Sequence, residues 1–143
     1  MYLKSSIREI AFIERMNDMF VQMNTNPKRK SVGDCVIRAL SVATDNDWDS
    51  VYLELMLIGY DMKDMPNSNE IWGTYLQDKG FSREIIPNTC PACYTIRDFA
   101  NDHPRGTYVI GTGTHAVAVK DGSYFDTTDS GDEVPAYVWK KVV

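Results

Sequence analysis

The sequence predicts an α+β fold, with helices in the first half of the chain and antiparallel strands in the last third. Apolar residues recur at helical spacing up to Leu76, whereas beyond Thr107 they form short runs separated by turn residues. An Asp-Gly pair at residues 121–122 stands between two of these runs and is typical of a tight hairpin. Because the helices precede the strands and do not alternate with them, the order favours α+β over a parallel α/β sheet.

Amphipathic spacing and capping residues indicate the helices. Ser6 and Glu9 have the spacing of a capping box and begin the first helix. Asp34 is a suitable N-cap for the second helix, so Cys35 falls in its first turn. Gly80 is expected to end the fourth helix. Helices are predicted over residues 6–22, 34–43, 48–57, 67–79 and 95–103.

Runs of β-branched and aromatic residues indicate the strands, and Gly, Pro and Asp residues separate these runs. Strands are predicted over residues 81–86, 107–110, 115–119, 123–126 and 136–142. The last four of these strands are expected to pair as an antiparallel sheet, on which the helices pack.

Composition is that of an ordinary globular protein. The 143 residues fit one domain, and we expect residues 1–143 to form it, with residues 1–23 as a helical extension. The net charge of -5 disfavours binding to nucleic acid. Apolar runs fall short of the ~20 residues of a membrane helix, and the first residues lack the pattern of a secretory signal. Three cysteines suggest no disulfide framework, so we expect a cytoplasmic location and no membrane contact.

Cys35 is the first candidate for chemistry. At the start of a helix, unpaired backbone N–H groups and the helix dipole favour a negative charge, which stabilises a thiolate. Gly33, two residues earlier, allows a substrate to approach the backbone closely. The alternative is a small buried cysteine on the apolar side of the helix, and Cys35 alone does not decide between the two interpretations.

His115 and Asp126 are the second and third candidates. A two-residue turn at 121–122 pairs Val117 with Asp126, which places Asp126 diagonally across the hairpin from His115 on the same face. A three-residue turn would place Asp129 there instead, and the Asp-Gly pair favours Asp126. A thiolate, an imidazole that shares its proton and a carboxylate that fixes the imidazole are together the parts of a nucleophilic triad. A structural histidine remains the alternative for His115 taken alone.

Segments around these residues resemble the papain-like cysteine peptidase superfamily. They are Val-Gly-Asp-Cys-Val-Ile-Arg-Ala-Leu at 32–40, Gly-Thr-His-Ala-Val-Ala-Val at 113–119 and Tyr-Phe-Asp-Thr at 124–127. They are similar to small papain-like proteins of phages and bacteria, over about residues 24–139. The resemblance implies a papain-like fold, in which a central helix begins at the nucleophile and packs on the C-terminal antiparallel sheet.

The same resemblance implies roles for the candidate residues. Cys35 corresponds to the nucleophile, His115 to the general base and acid, and Asp126 to the residue that orients the imidazole. Members of the family commonly place a Gln five or six residues before the cysteine as a donor to the oxyanion, and here those positions hold Lys30 and Arg29. The Asn26 side chain is the candidate for that donor, beside the backbone N–H of Cys35; Asn24 and a purely structural turn role for Asn26 remain alternatives.

Cys90 and Cys93 form a Cys-Pro-Ala-Cys motif just before the last predicted helix. We predict that they are two incidental thiols in a loop. Dithiol redox chemistry is an alternative, and a zinc site would have to draw its remaining ligands from His103 and His115.

Together these observations predict a thiol protease that needs neither a cofactor nor a metal. As a cysteine peptidase or isopeptidase, it would hydrolyse an amide bond of a peptide or protein substrate through a thioester acyl-enzyme. Because the usual Gln is missing, the alternative is a papain-fold binding or inhibitory protein with weak or no turnover. The sequence leaves the oligomeric state open.

Overall fold

The computed structural model describes residues 19–142, along which four helices and six strands follow one another. The strands are β1 (Phe20–Gln22), β2 (Phe81–Ile85), β3 (Thr107–Gly111), β4 (Ala116–Lys120), β5 (Ser123–Asp126) and β6 (Tyr137–Lys141). The helices are α1 (Cys35–Thr44), α2 (Trp48–Met62), α3 (Asn69–Asp78) and α4 (Ile96–Asp102). The predicted α+β class is confirmed, since helices and strands do not alternate as in a parallel α/β sheet.

All six strands form one mixed sheet in the order β1-β5-β4-β3-β6-β2. Four of its five pairings are antiparallel, and β1 runs parallel to β5. The predicted antiparallel pairing of the last four strands is confirmed, whereas the parallel strand β1 at the edge of the sheet was not predicted. The helix predicted over residues 6–22 is wrong at Phe20–Gln22, and its residues before Met19 lie outside the described part of the chain.

Strand β1 forms because β5 would otherwise expose unpaired backbone groups along one edge. The Tyr124 N–H donates to the Met19 carbonyl at 2.8 Å, and the Met23 N–H donates to the Asp126 carbonyl at 2.9 Å. The Phe20 ring packs on the Tyr124 ring, with 5.6 Å between their centroids. Backbone pairing and aromatic packing, both long-range, outweigh the helical spacing that the local sequence shows.

The hairpin between β4 and β5 has the predicted two-residue turn. Asp121 and Gly122 have φ angles of 50° and 81°, in the left-handed region that this tight turn requires. Val119 pairs with Tyr124 on either side of the turn, as predicted. The confirmed register brings the end of β5 alongside the start of β4.

The two faces of the sheet carry different helices. Helices α1, α2 and α3 cover one face around Leu40 and Tyr75, and α4 covers the other around Phe99. The side chains of β4 alternate between the two faces: Ala116 and Ala118 face α1, while Val117 and Val119 face the opposite core. The short alanine side chains allow α1 to lie close to β4, the strand that His115 precedes.

Helix ends differ slightly from the predicted ones. Helix α2 continues past Gly59 to Met62. Gly59 allows close packing and does not end the helix: a Cβ there would lie 2.7 Å from the Asp64 carbonyl oxygen. The capping box between Thr95 and Asp98 is present at the start of α4. Within residues 19–142, every helix is too short or too polar to span a bilayer.

Candidate active site

Cys35 is the first residue of α1, as predicted, and this half-buried residue lines a cleft of about 130 Å³. Its backbone N–H lies in the first helical turn, where an intrahelical acceptor is missing. The interpretation of Cys35 as a sealed core residue is therefore not supported, because the side chain reaches an open cleft.

His115 lies immediately before β4 and faces the thiol across the same cleft. Its Nε2–H donates to Asp126 Oδ2 at 2.6 Å, so Nδ1 is the ring nitrogen left for the thiol. The Thr112 N–H donates to the His115 carbonyl at 3.0 Å and holds the backbone of the preceding loop. The structure thus brings together the three residues that the sequence singled out: Cys35, His115 and Asp126.

The Cys35 thiol and the His115 imidazole shift each other's pKa values in opposite directions. A hydrogen bond with His115 lowers the pKa of Cys35 against the opposing effect of burial, and the positive charges of His115 and Arg38 lower it further. The hydrogen bond with Asp126, together with the contact with Cys35, raises the pKa of His115 to about 10. Both shifts favour a thiolate–imidazolium pair near neutral pH.

Asp126 ends β5, and its side chain is only 4% exposed. Burial by itself raises the pKa of this carboxyl group, but the hydrogen bond from His115 and the Thr127 N–H, which donates to Oδ1 at 2.7 Å, leave the pKa below its ordinary value. Asp126 is thus held as a carboxylate that accepts a hydrogen bond from the imidazole, the role expected for the residue that orients it.

Asp34 does not cap α1 with its side chain as the sequence suggested. Its carboxylate instead accepts a hydrogen bond from Arg38 and one from Trp48 Nε1 at 2.9 Å. The Arg38 guanidinium also lies 3.7 Å from Asp126 Oδ1. Sequence reasoning missed Arg38 as a site residue, although its spacing of four from Asp34 and three from Cys35 places all three on neighbouring parts of one helix face.

Asn26, the predicted side-chain donor to the oxyanion, does not line the cleft that holds Cys35. Its buried side chain instead donates from Nδ2 to Asp34 at 3.4 Å, and its Oδ1 accepts the Lys28 N–H at 2.9 Å. These contacts correspond to the structural turn role that the sequence left open.

Neutral side chains form most of the cleft beside Cys35 and His115. Trp72 Nε1–H donates to Asn69 Oδ1 at 3.1 Å and so fixes the orientation of that amide. The Tyr137 ring lies next to Trp72, with 5.9 Å between the ring centroids, and across Gly111 of the neighbouring strand, where a Cβ would overlap the tyrosine ring. The cleft lining comprises Gly33, Cys35, Val36, Asn67, Asn69, Trp72, Gly113, Thr114, His115, Ala116 and Tyr137.

Cys90 and Cys93 form a disulfide, so the expectation of two incidental free thiols is wrong. Both lie exposed in the loop before α4, and neither lines the cleft of Cys35. The two residues are brought together because the intervening Pro91 and Ala92 form a tight turn, with 4.1 Å between the two Cα atoms. Among residues 19–142, no three His, Cys, Asp or Glu side chains are grouped as a metal ion would require.

Comparison with known protein families, with curated proteins and with solved structures finds no match to this chain. The chemistry of the site therefore rests on its own geometry. A half-buried thiol, an imidazole and a buried carboxylate in series supply a nucleophile, a proton carrier and a group that fixes the carrier.

Proposed function

We propose that the protein is a cysteine peptidase or isopeptidase. One observation carries the proposal: the His115 imidazole lines the same cleft as the half-buried Cys35 thiol and donates to the buried Asp126 carboxylate, with 2.6 Å between Nε2 and Oδ2. A structural cysteine would gain nothing from a hydrogen-bonded imidazole, whereas a nucleophile needs one to remain ionised and to pass on its proton. The arrangement matches the chemistry of acyl transfer to a thiol.

The reaction would proceed in two steps. The Cys35 thiolate attacks the carbonyl carbon, and the His115 imidazolium gives its proton to the leaving amine as the C–N bond breaks, leaving a thioester. Neutral His115 then takes a proton from water as that water attacks the thioester, which frees the carboxylic acid and restores the ion pair. The backbone N–H of Cys35 supports the oxyanion in both steps.

We infer a papain-like arrangement of the fold from the order of these elements. The nucleophile begins a helix that packs on the sheet, and the sheet then contributes the histidine before β4 and the aspartate at the end of β5. This order agrees with the resemblance of residues 32–40 and 113–127 to that superfamily. The parallel strand β1 adds to the arrangement at the sheet edge beside Asp126.

An iodoacetamide or epoxide probe tests the nucleophile directly. We expect one equivalent of probe on Cys35, located by mass spectrometry, because its thiol is the ionised one and the disulfide protects the other two cysteines. In His115→Ala the thiol loses its hydrogen-bonded cation, so labelling at neutral pH is expected to fall at least about tenfold.

His103→Ala is the matched control for that experiment, since it removes the other histidine, which packs against Phe99 on the opposite face of the sheet. It is expected to label like the natural protein. Equal labelling of Cys35 with and without the His115 ring would contradict the peptidase proposal.

The pH dependences of Cys35 alkylation and of peptide hydrolysis should distinguish the ionisation of Cys35 from that of His115. Because the pKa of Cys35 is lowered, alkylation by iodoacetamide is expected to rise well below the ~8.5 of a free thiol. Peptide hydrolysis also needs the imidazolium proton, so its rate should fall again above about pH 10, where His115 loses that proton, while alkylation stays high. Stopped-flow alkylation and a fluorogenic peptide library measure the two profiles. Alkylation that rises only near the ordinary thiol pKa would contradict the ion pair.

A catalytically weak binding or inhibitory protein is the second candidate. The position of Asn26 outside the cleft favours it, because the side-chain donor expected for the oxyanion is engaged with Asp34. This candidate predicts a labelled Cys35 without turnover of any peptide, together with a stable partner that Cys35→Ser still binds. Turnover that is lost in Cys35→Ser would exclude it.

A further inference from the structure

We propose that Arg38 is a positioning residue of this site, which clamps the Asp126 carboxylate from the side opposite His115 and ties it to the start of α1 through Asp34. The inference rests on the proposed function only in taking Cys35 as the nucleophile. It adds a fourth side chain to the three that the sequence identified.

Position and burial support the clamp. Arg38 lies one helical turn beyond Cys35, and its side chain is only 13% exposed. One end of the guanidinium, Nη1, contacts Asp34 Oδ1, and the other, Nη2, lies 3.7 Å from Asp126 Oδ1. The planar group thus spans two carboxylates that come from different parts of the fold, which a lysine ammonium on one stem cannot do in the same geometry.

The two oxygens of Asp126 are divided between the imidazole and the clamp. Oδ2 accepts the His115 Nε2–H, whereas Oδ1 accepts the Thr127 N–H and faces Arg38. A rotation of the carboxylate that weakened its contact with Arg38 would also turn Oδ2 away from the imidazole. Arg38 therefore acts on His115 through Asp126, without needing to touch a substrate.

Arg38 is itself held in place. Asp34 Oδ2 accepts hydrogen bonds from Trp48 Nε1 at 2.9 Å and from Asn26 Nδ2 at 3.4 Å, so the acid that anchors Arg38 is fixed by the start of α2 and by the loop before α1. This explains why a buried asparagine stands at position 26.

Charge balance gives the clamp a second effect. When Cys35 is ionised, three anions face one another in and beside the cleft: Cys35 from α1, Asp34 from the residue before it, and Asp126 from β5. The cations that face them are His115, from the residue before β4, and Arg38. Without Arg38 one cation would remain for three anions, which opposes ionisation of the thiol.

The pH dependence of Cys35 alkylation tests the clamp, because a merely structural ion pair would leave it unchanged. In Arg38→Met, the acidic limb of the profile is expected to move upward by about 0.5 to 1 pH unit. Arg38→Gln keeps a donor for Asp34 and is expected to show the same shift, which covers the case in which the methionine variant fails to fold. Arg38→Lys restores the charge but cannot span the two carboxylates in the same geometry, so it should return the limb only in part.

Arg97→Met is the matched control. Arg97 also bridges two carboxylates, Asp129 and Asp132, but it lies on α4 on the opposite face of the sheet. Its loss should leave the alkylation profile where it was. An unmoved profile in a folded Arg38→Met or Arg38→Gln would overturn the clamp.

Alkylation separates this result from the fate of the peptidase proposal, since it needs no substrate. A moved limb in a protein that hydrolyses no peptide would support Arg38 and count against turnover. An unmoved limb in a protein that does hydrolyse peptides would count against the role of Arg38 and would support turnover.

Discussion

Asp126→Ala is expected to slow peptide hydrolysis by about 10²- to 10⁴-fold while the protein stays folded. The reason is local: Asp126 accepts the hydrogen bond that fixes the His115 ring, at 2.6 Å, and its negative charge helps to raise the pKa of that ring. Without the carboxylate the imidazole is free to turn from the thiol and is less able to carry a proton. The measurement is kcat/KM on a peptide found by library screening, with circular dichroism to confirm folding.

Asp129→Ala is the matched control, because it removes the same charge three residues further along the chain. Asp129 contacts the Tyr124 hydroxyl at 2.6 Å and Arg97. A three-residue hairpin turn would have placed Asp129, and not Asp126, on the face of His115. Activity close to that of the natural protein is expected. Equal losses in the two variants, or full activity in Asp126→Ala, would refute the role of Asp126.

Leu40→Ala is expected to lower the free energy of unfolding by about 2 to 5 kcal/mol. Leu40 is 0% exposed and lies in α1, on the face that packs against the sheet beneath Cys35. Truncation there removes buried methyl groups and leaves a cavity that the surrounding strands cannot close. Denaturant unfolding followed by tryptophan fluorescence measures the change, and a loss of this size would also reduce labelling of Cys35 in moderate urea.

Leu57→Ala makes the same chemical change on a helix surface, since Leu57 is 66% exposed on α2. Its effect on the free energy of unfolding should stay within about 0.5 kcal/mol. A loss in Leu57→Ala as large as that in Leu40→Ala would mean that the exposed face of α2 is covered in solution. A small loss in both would show that α1 contributes little to the core.

Local signals were sufficient to predict the part of the hairpin that brings His115 and Asp126 together. The Asp-Gly pair at 121–122 fixes the turn, the turn fixes the register, and the register selects Asp126 over Asp129 as the partner of His115. Every step depends on neighbouring residues and on the two-residue period of a strand. The apolar spacing after Asp34 likewise places Cys35 at the start of α1, although the Asp34 side chain makes no capping hydrogen bond.

Contacts between distant parts of the chain were not predictable in this way. Nothing near Phe20–Gln22 reveals that the edge of β5 lies open to receive it as a parallel strand. Likewise, Asn26 carries an amide suited to an oxyanion, but only the folded loop shows that Asp34 takes it. Arg38 is one basic residue among apolar ones until β5 brings Asp126 to its side. In each case the partner becomes apparent only in the folded chain: it lies far along the sequence for Phe20–Gln22 and Arg38, and eight residues away for Asn26.

The shape of the cleft depends on Gly111, although this residue does not carry any of the reacting groups. The Tyr137 ring can lie flat against the sheet only because the facing position carries a hydrogen atom in place of a side chain. Any larger residue at 111 would overlap the ring and force it to move, and Tyr137 is one of the residues that line the cleft of Cys35. A substitution at 111 is thus expected to alter the shape of the cleft without changing Cys35, His115 or Asp126.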